Sequence, residues 1–468
     1  MPRTSTAFER HRPSAGTVDH ALSTTRDAVF WTEDAPGERA PRLEGTVQAD
    51  LAIVGGGYTG LWTALRAKDR DPDATVVVVE ARRVGWAASG RNGGFVEASL
   101  THGEENGKRR WPEELARLDE LGMQNLDDIE ATVAREKLAV DFERTGTLSV
   151  AIEPHQVEWL QDDDEFLDAT AVRAQVDSPT YLAGSWDRRS TALVHPAKLA
   201  VELARVARER GVLIFEDSPV RALRDTADGV DVQTAAGQVR AKRVALATNV
   251  FRPLLKRNLL MTVPVYDYVL MTEPLSAAQL ADIGWSNRQG LADLANQFHY
   301  YRLSADNRIL FGGYDAIYHY GRRVNEAYEN RPESYAKLAS HFFTTFPQLE
   351  GLRFSHRWAG AIDTSTRFCA FYGTARTGRV AYAAGFTGLG VAATRFAGDV
   401  MLDLLSGEST ERTELRMVRE RPLPFPPEPA AALGINLTRW SLDRADHREG
   451  RRNLLLKTLD AFGLGFDS

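Results

Sequence analysis

The chain has 468 residues, a formal net charge of −7 with acids and bases interleaved, and a single cysteine, Cys369. That length suits two or three domains at roughly 150 residues each, and the weak, mixed charge excludes a nucleic-acid surface. One cysteine excludes an intramolecular disulfide, a CxxC redox pair and a thiolate metal cluster, so no metal site is expected and a cytoplasmic setting is compatible.

Residues 2–25 are rich in Ser, Thr, Pro and Arg without periodicity, and read as a mobile extension rather than a secretory signal. Val29-Phe30-Trp31 is the first apolar cluster and is expected to dock on the body. No uncharged apolar run reaches the ~18 residues that a spanning helix needs, so the chain reads as soluble with no membrane contact.

Asp50-Leu51-Ala52-Ile53-Val54 then runs into Gly55-Gly56-Gly57-Tyr58-Thr59-Gly60 and the helix-forming Leu61 to Ala67. Strand, glycine turn and helix in this order open a dinucleotide-binding βαβ unit. Gly55 permits the turn, Gly57 lets backbone approach a pyrophosphate, and Gly60 lets helix pack on strand. The helix start offers free N–H groups to phosphate. A second strand, Thr75 to Val79, ends at Glu80, twenty residues beyond Gly60, where a carboxylate can take a ribose hydroxyl. Val84 to Phe95 is a loop crowded with Gly and Ala, whose backbone can lie close to an extended ligand.

Together GGGYTG, Glu80 and GWAASGRNGG resemble the flavin-binding signature of the D-amino-acid oxidase superfamily, which includes glycine and sarcosine oxidases, with the closest resemblance to its gamma-glutamylputrescine oxidoreductase branch. The resemblance implies FAD, held by the 55–60 turn (Gly55, Gly57, Tyr58, Thr59, Gly60) and by Glu80, Ala81 and Arg82. The small-residue loop (Ala88, Ser89, Arg91, Asn92, Gly93, Gly94) would lie along the pyrophosphate and ribityl chain. It implies backbone contact at Val220 and at the strand end Ala247-Thr248. Relatives with covalent flavin use a His near the small-residue loop or a Cys before the return strand, and Asn92 and Gly360 stand there, so the link is expected to be non-covalent.

Apolar positions from Leu115 to Ile129 repeat at helical spacing, and Phe142 to Ile152 reads as strand or hairpin; both are assigned to an inserted second domain. Pro196 to Arg210 reads as a helix ended by Gly211, followed by short strands at 212–216, 219–225, 229–234 and 243–247. From Val263 to Phe354 the pattern is β-rich and aromatic, as in an antiparallel substrate sheet, with a packing helix at about 331–345. Val380 to Ala384 returns as a buried strand into Gly385-Phe386-Thr387-Gly388-Leu389-Gly390, then a helix from Val391 to Leu405. In the family this loop wraps the pyrimidine end of the flavin, which adds Gly385, Thr387, Gly388, Leu389, Gly390 and Val391 to the expected FAD contacts. Its helix start aims N–H groups and a positive dipole end there. Arg421 to Pro429 marks a linker, and the Leu- and Arg-bearing tail is expected to pack on the body or a second subunit of a homodimer.

The fold class expected is α/β: a Rossmann-like FAD-binding domain (46–111, 186–262, 355–412) with an inserted antiparallel-sheet α+β substrate domain (112–185, 263–354). It is flanked by an N-terminal extension (1–45) and a Pro-rich linker with a helical tail (413–468). The function expected is FAD-dependent oxidation of a C–N bond of an amine or amino acid to an imine, then hydrolysis, with O2 or another electron acceptor. A nicotinamide-dependent flavoprotein reductase would carry a second glycine fingerprint, and none is found; a non-catalytic flavin-binding assembly factor is the third reading. Oxidase relatives place a Lys over the flavin, and no Lys occurs between Val263 and Ala336. Sarcosine-oxidising relatives hold a carboxylate with a Lys where Ala392 stands, so a distal anion is expected instead. The catalytic candidates are His299, Tyr301, Arg302 and Tyr268, with Arg302 as the anion anchor and the tyrosines as walls.

Overall fold

A computed structural model describes residues 4–464. The apolar run at 45–54 is the central strand of an eight-stranded sheet: Gly45–Val54 pairs in parallel with Val76–Val79 on one side and Gly237–Leu246 on the other. Leu213–Phe215 and Val380–Ala384 extend the parallel core, and antiparallel edges complete it. Parallel strands are covered on both faces, which is why Val76 to Val79 are all buried.

The opening helix Tyr58–Arg70 packs against the late helix Gly390–Ser406, where a Cβ on Gly398 would stand 3.1 Å from the Thr63 amide nitrogen. Ion pairs from Arg66 and Arg70 to Asp399, and from Arg70 to Asp403, tie the same two helices. Leu115–Arg135, expected with the inserted part, joins this core instead. Leu118, Leu121, Leu126 and Ile129 are buried in it. Asn125 donates to the Ala392 carbonyl (2.9 Å), and Arg395 pairs with Asp128.

The ten-stranded second sheet is mostly antiparallel and contains Thr262–Thr272, Gly290–Asp293, His299–Leu303, Ile309–Gly313 and Thr147–Ala151. Phe354–Ser365, expected with the cofactor-binding part, pairs along almost its whole length with Thr262–Thr272 in this sheet. Helix Pro332–Thr345 covers the face turned away from the first sheet, with Tyr268, Tyr301, Phe311 and Phe342 in its core.

The extension expected to be mobile is folded within the described residues. Ala15–Leu22 is a helix capped by Ser14, Thr17 bonds Glu350, and Phe8 is buried against His341 (ring centroids 4.2 Å) and His299 (4.8 Å). A few apolar residues outweighed the polar composition. Trp31 is buried, as its apolar cluster suggested, and its indole donates to the Asn92 carbonyl (3.1 Å). After the irregular 421–429 segment, helices Ala430–Asp446 and Leu454–Ala461 pack back on the body. Among the described residues no helix is long and apolar enough to cross a membrane.

Candidate active site and cofactor cavity

The carboxyl ends of the parallel strands and one face of the second sheet enclose a continuous cavity of about 1220 Å³. The glycine turn forms part of its floor. Gly55 has φ +116°, and a Cβ there would meet the Ala247 carbonyl oxygen at 2.4 Å. A Cβ on Gly57 would reach Ser89 Oγ at 2.8 Å, the atom that accepts the Tyr58 N–H (3.0 Å). Gly60 does not face the cavity; its Cβ would overlap the Gly55 carbonyl oxygen at 1.9 Å, so it serves the helix–strand packing alone.

Glu80 lines the cavity while holding the turn together. One carboxylate oxygen accepts the Gly56 N–H (2.6 Å); the other accepts the Arg82 N–H (2.8 Å) and the Trp86 indole (3.0 Å). Burial pushes its pKa up, and these donors oppose that shift. The Arg82 side chain turns away to Glu326, whereas Ala81 and Trp86 line the wall. Trp86, tilted against Phe251 at 5.5 Å, was not among the residues singled out, although an indole inside a small-residue loop is itself a signal.

The small-residue loop is held by its own polar groups. Asn92 donates to the carbonyls of Ala88 and Ser89 and accepts from the Gly94 N–H. Arg91 reaches Glu329 (2.6 Å), the Ala359 carbonyl and the Trp86 carbonyl. Ala88, Ser89 and Arg91 to Gly94 thus present an ordered edge to the cavity. Val220, Ala247 and Thr248 line the same wall. Beyond them the lining continues through Gly360, Thr387, Gly388, Leu389, Gly390 and Val391.

Gly388, at φ +95°, has nothing within 4 Å of its Cβ position, and Gly360 has only Arg91 Cβ at 3.9 Å, so both open backbone to the space. Gly385 lies behind the lining. Its N–H donates to Asp363 (2.5 Å), which also accepts from the Phe386 amide and is pushed up by burial to about 7. That carboxyl fixes the path of the loop.

The four catalytic candidates stand away from the cavity. The pleat sends His299 and Tyr301 to the opposite face: His299 bonds Asp293 (2.6 Å) and His341 (2.9 Å), and the Tyr301 hydroxyl meets that of Tyr181 (2.7 Å). Tyr268 donates to the Tyr328 carbonyl on that face too. Arg302 shares the cavity side of its strand but stops short, donating to the Val194 carbonyl (2.6 Å) and, at 3.4 Å, to the Gly94 carbonyl. It braces the small-residue loop from behind.

The residue of this strand that does reach the cavity is Tyr300, because glycines at 93 and 312 leave room for its ring. Its hydroxyl crosses the intervening strand Ile309–Gly313 and donates to Asp267 of Thr262–Thr272. Burial pushes Asp267 up to about 6, against the lowering effect of that bond, and pushes the phenol well above its usual value. Asp267 was readable only as part of a strand; an acid in an apolar alternation was the available signal. Glu97, also in the lining, is pushed up to about 7 by burial. Among the described residues, no Lys lines the cavity, and no Lys or Arg of the second sheet does.

The family described as "DAO: FAD dependent oxidoreductase" matches residues 50–404. Gamma-glutamylputrescine oxidoreductase of Escherichia coli (strain K12) is 32% identical over 385 residues, covering 78% of this chain and 86% of that protein. A probable oxidoreductase, OrdL, of Haemophilus influenzae is 28% identical over 386 residues, covering 79% of this chain and 85% of the relative. Among solved structures, glycine oxidase from Bacillus cereus superposes with a TM-score of 0.63 at 22% identity, over 80% of this chain and 99% of that one. Sequence and fold agree: the chain belongs to the DAO family of FAD-dependent oxidoreductases.

Proposed function

We propose that this enzyme oxidises the C–N bond of an amine to an imine, which water then hydrolyses to a carbonyl compound and an amine or ammonia. The observation that carries the reading is the buried Asp267–Tyr300 pair on a sheet face that sends no Lys or Arg into the cavity. Such a wall suits an ammonium and offers no partner to an α-carboxylate.

The residues fit FAD on their own geometry, since the glycines at 360 and 388 leave backbone open to the cavity where it would meet an extended ligand. In this reading the first turn of Tyr58–Arg70 takes the pyrophosphate and Glu80 the ribose. The small-residue loop and the 387–391 segment then take the flavin end. Bound FAD supplies the two-electron acceptor. Asp267 accepts an N–H of the incoming ammonium and takes its proton, leaving the neutral amine. Tyr300 holds that carboxylate in place and walls the nitrogen against water.

The test is anaerobic mixing of the FAD-loaded enzyme with a panel of primary and secondary amines, with α-amino acids, with NADPH and with buffer. Loss of the visible flavin band with amines supports the reading. Loss with NADPH alone assigns a reductase, and an unchanged band with every addition assigns a binding protein without this activity.

A further inference from the structure

We propose that Arg439 is a specificity-determining residue that binds a carboxylate on the substrate, at the end remote from the reacting nitrogen; this deepens the amine-oxidation reading and rests on it.

Helix Ala430–Asp446 lies beyond the family-matched span and is fixed at both ends to different parts of the second sheet. At its start, Glu428 accepts from the Tyr318 hydroxyl and the Gly321 N–H (3.1 Å). At its end, Asp446 accepts from the Asn296 N–H (2.9 Å), the Asn296 side-chain amide (2.7 Å) and the Gln297 N–H (3.3 Å). The span between is held over the cavity. Ala431, Ile435, Thr438 and Leu442, spaced four, three and four residues apart, turn one face inward.

Arg439 stands in the middle of that face and lines the cavity. Its Nε is buried without a hydrogen-bond partner, and no carboxylate of the described chain pairs with its guanidinium. Of the other two cavity-lining arginines, Arg91 and Arg252, the first is spent on Glu329 and two carbonyls. A guanidinium that lines a cavity without an ion-pair partner offers an anion planar, bidentate geometry. The second sheet lines the same cavity with the opposite charge, Asp267 with Tyr300. A cavity lined by both a carboxylate and an unpaired guanidinium matches an amine that carries its anion at a distance. It does not match a simple alkylamine or a diamine.

The experiment uses the full-length FAD-loaded chain as wild type, Arg439→Gln and Arg439→Lys. Steady-state turnover is measured with 5-aminopentanoate, pentylamine and 1,5-diaminopentane, and binding of pentanoate, which carries the anion without the amine, by perturbation of the flavin band. Wild type is expected to favour the amino carboxylate. Arg439→Gln should raise its KM and weaken pentanoate by about tenfold to a hundredfold, the worth of one charge-assisted hydrogen bond, with partial recovery in Arg439→Lys. FAD content and melting temperature are followed in parallel. Equal pentanoate affinity in wild type and Arg439→Gln overturns the proposal, as does a wild-type preference for pentylamine over 5-aminopentanoate or loss of FAD in the variant. If no amine bleaches the flavin while pentanoate still depends on Arg439, the amine-oxidation reading fails and the anion site stands.

Discussion

One strand, His299–Leu303, shows how the site is decided residue by residue, since neighbours in sequence face core and cavity in turn. Asp267→Asn should cut kcat/KM for amines by roughly tenfold to a hundredfold through loss of one charge-assisted bond, with FAD content intact. Asp267 must be ionised to hold an ammonium, and its pKa is raised to about 6. KM of the wild type should therefore climb as pH falls through about 6, and that limb should vanish in the Asn variant; a pH profile of both checks it. Arg302→Ala, by contrast, strips the Val194 carbonyl of its donor and opens a buried void. It should lower stability by about 2 kcal/mol or more in a denaturant titration and leave KM unchanged.

Elements outside the glycine fingerprint hold the site together. The N-terminal segment seals the far face of the second sheet through Phe8, and its Trp31 props the small-residue loop at Asn92. Phe8→Ala should cost about 3 kcal/mol, read as a lower melting temperature, because it empties a buried ring site beside two histidines. The long helix Leu115–Arg135 was legible as a helix from its period, but its partner was not. Its apolar stripe fits any complementary face, and only the assembled molecule matched it to Gly390–Ser406.

At the scale of the whole molecule, both sheets and the tail helices contribute to one cavity. With Asn92 and Gly360 at the attachment places of covalent relatives, FAD should be released by acid precipitation, leaving a colourless protein pellet. With no Lys among the described cavity-lining residues, air should reoxidise the reduced enzyme slowly compared with an artificial electron acceptor, as stopped-flow mixing with each would show.

The sequence by itself determined the βαβ opening, the two glycine-rich loops, the FAD family and the alternation of the β-rich segment. Each of these is written in local terms, as glycines where backbone must bend or approach, and as apolar period where a face is buried. Tertiary structure alone decided which face of His299–Leu303 meets the cavity, that Tyr300 finds Asp267 across an intervening strand, and that a tail helix brings Arg439 to the cavity. Those outcomes depend on register between distant strands and on which apolar surfaces meet, and neither is encoded in any one stretch.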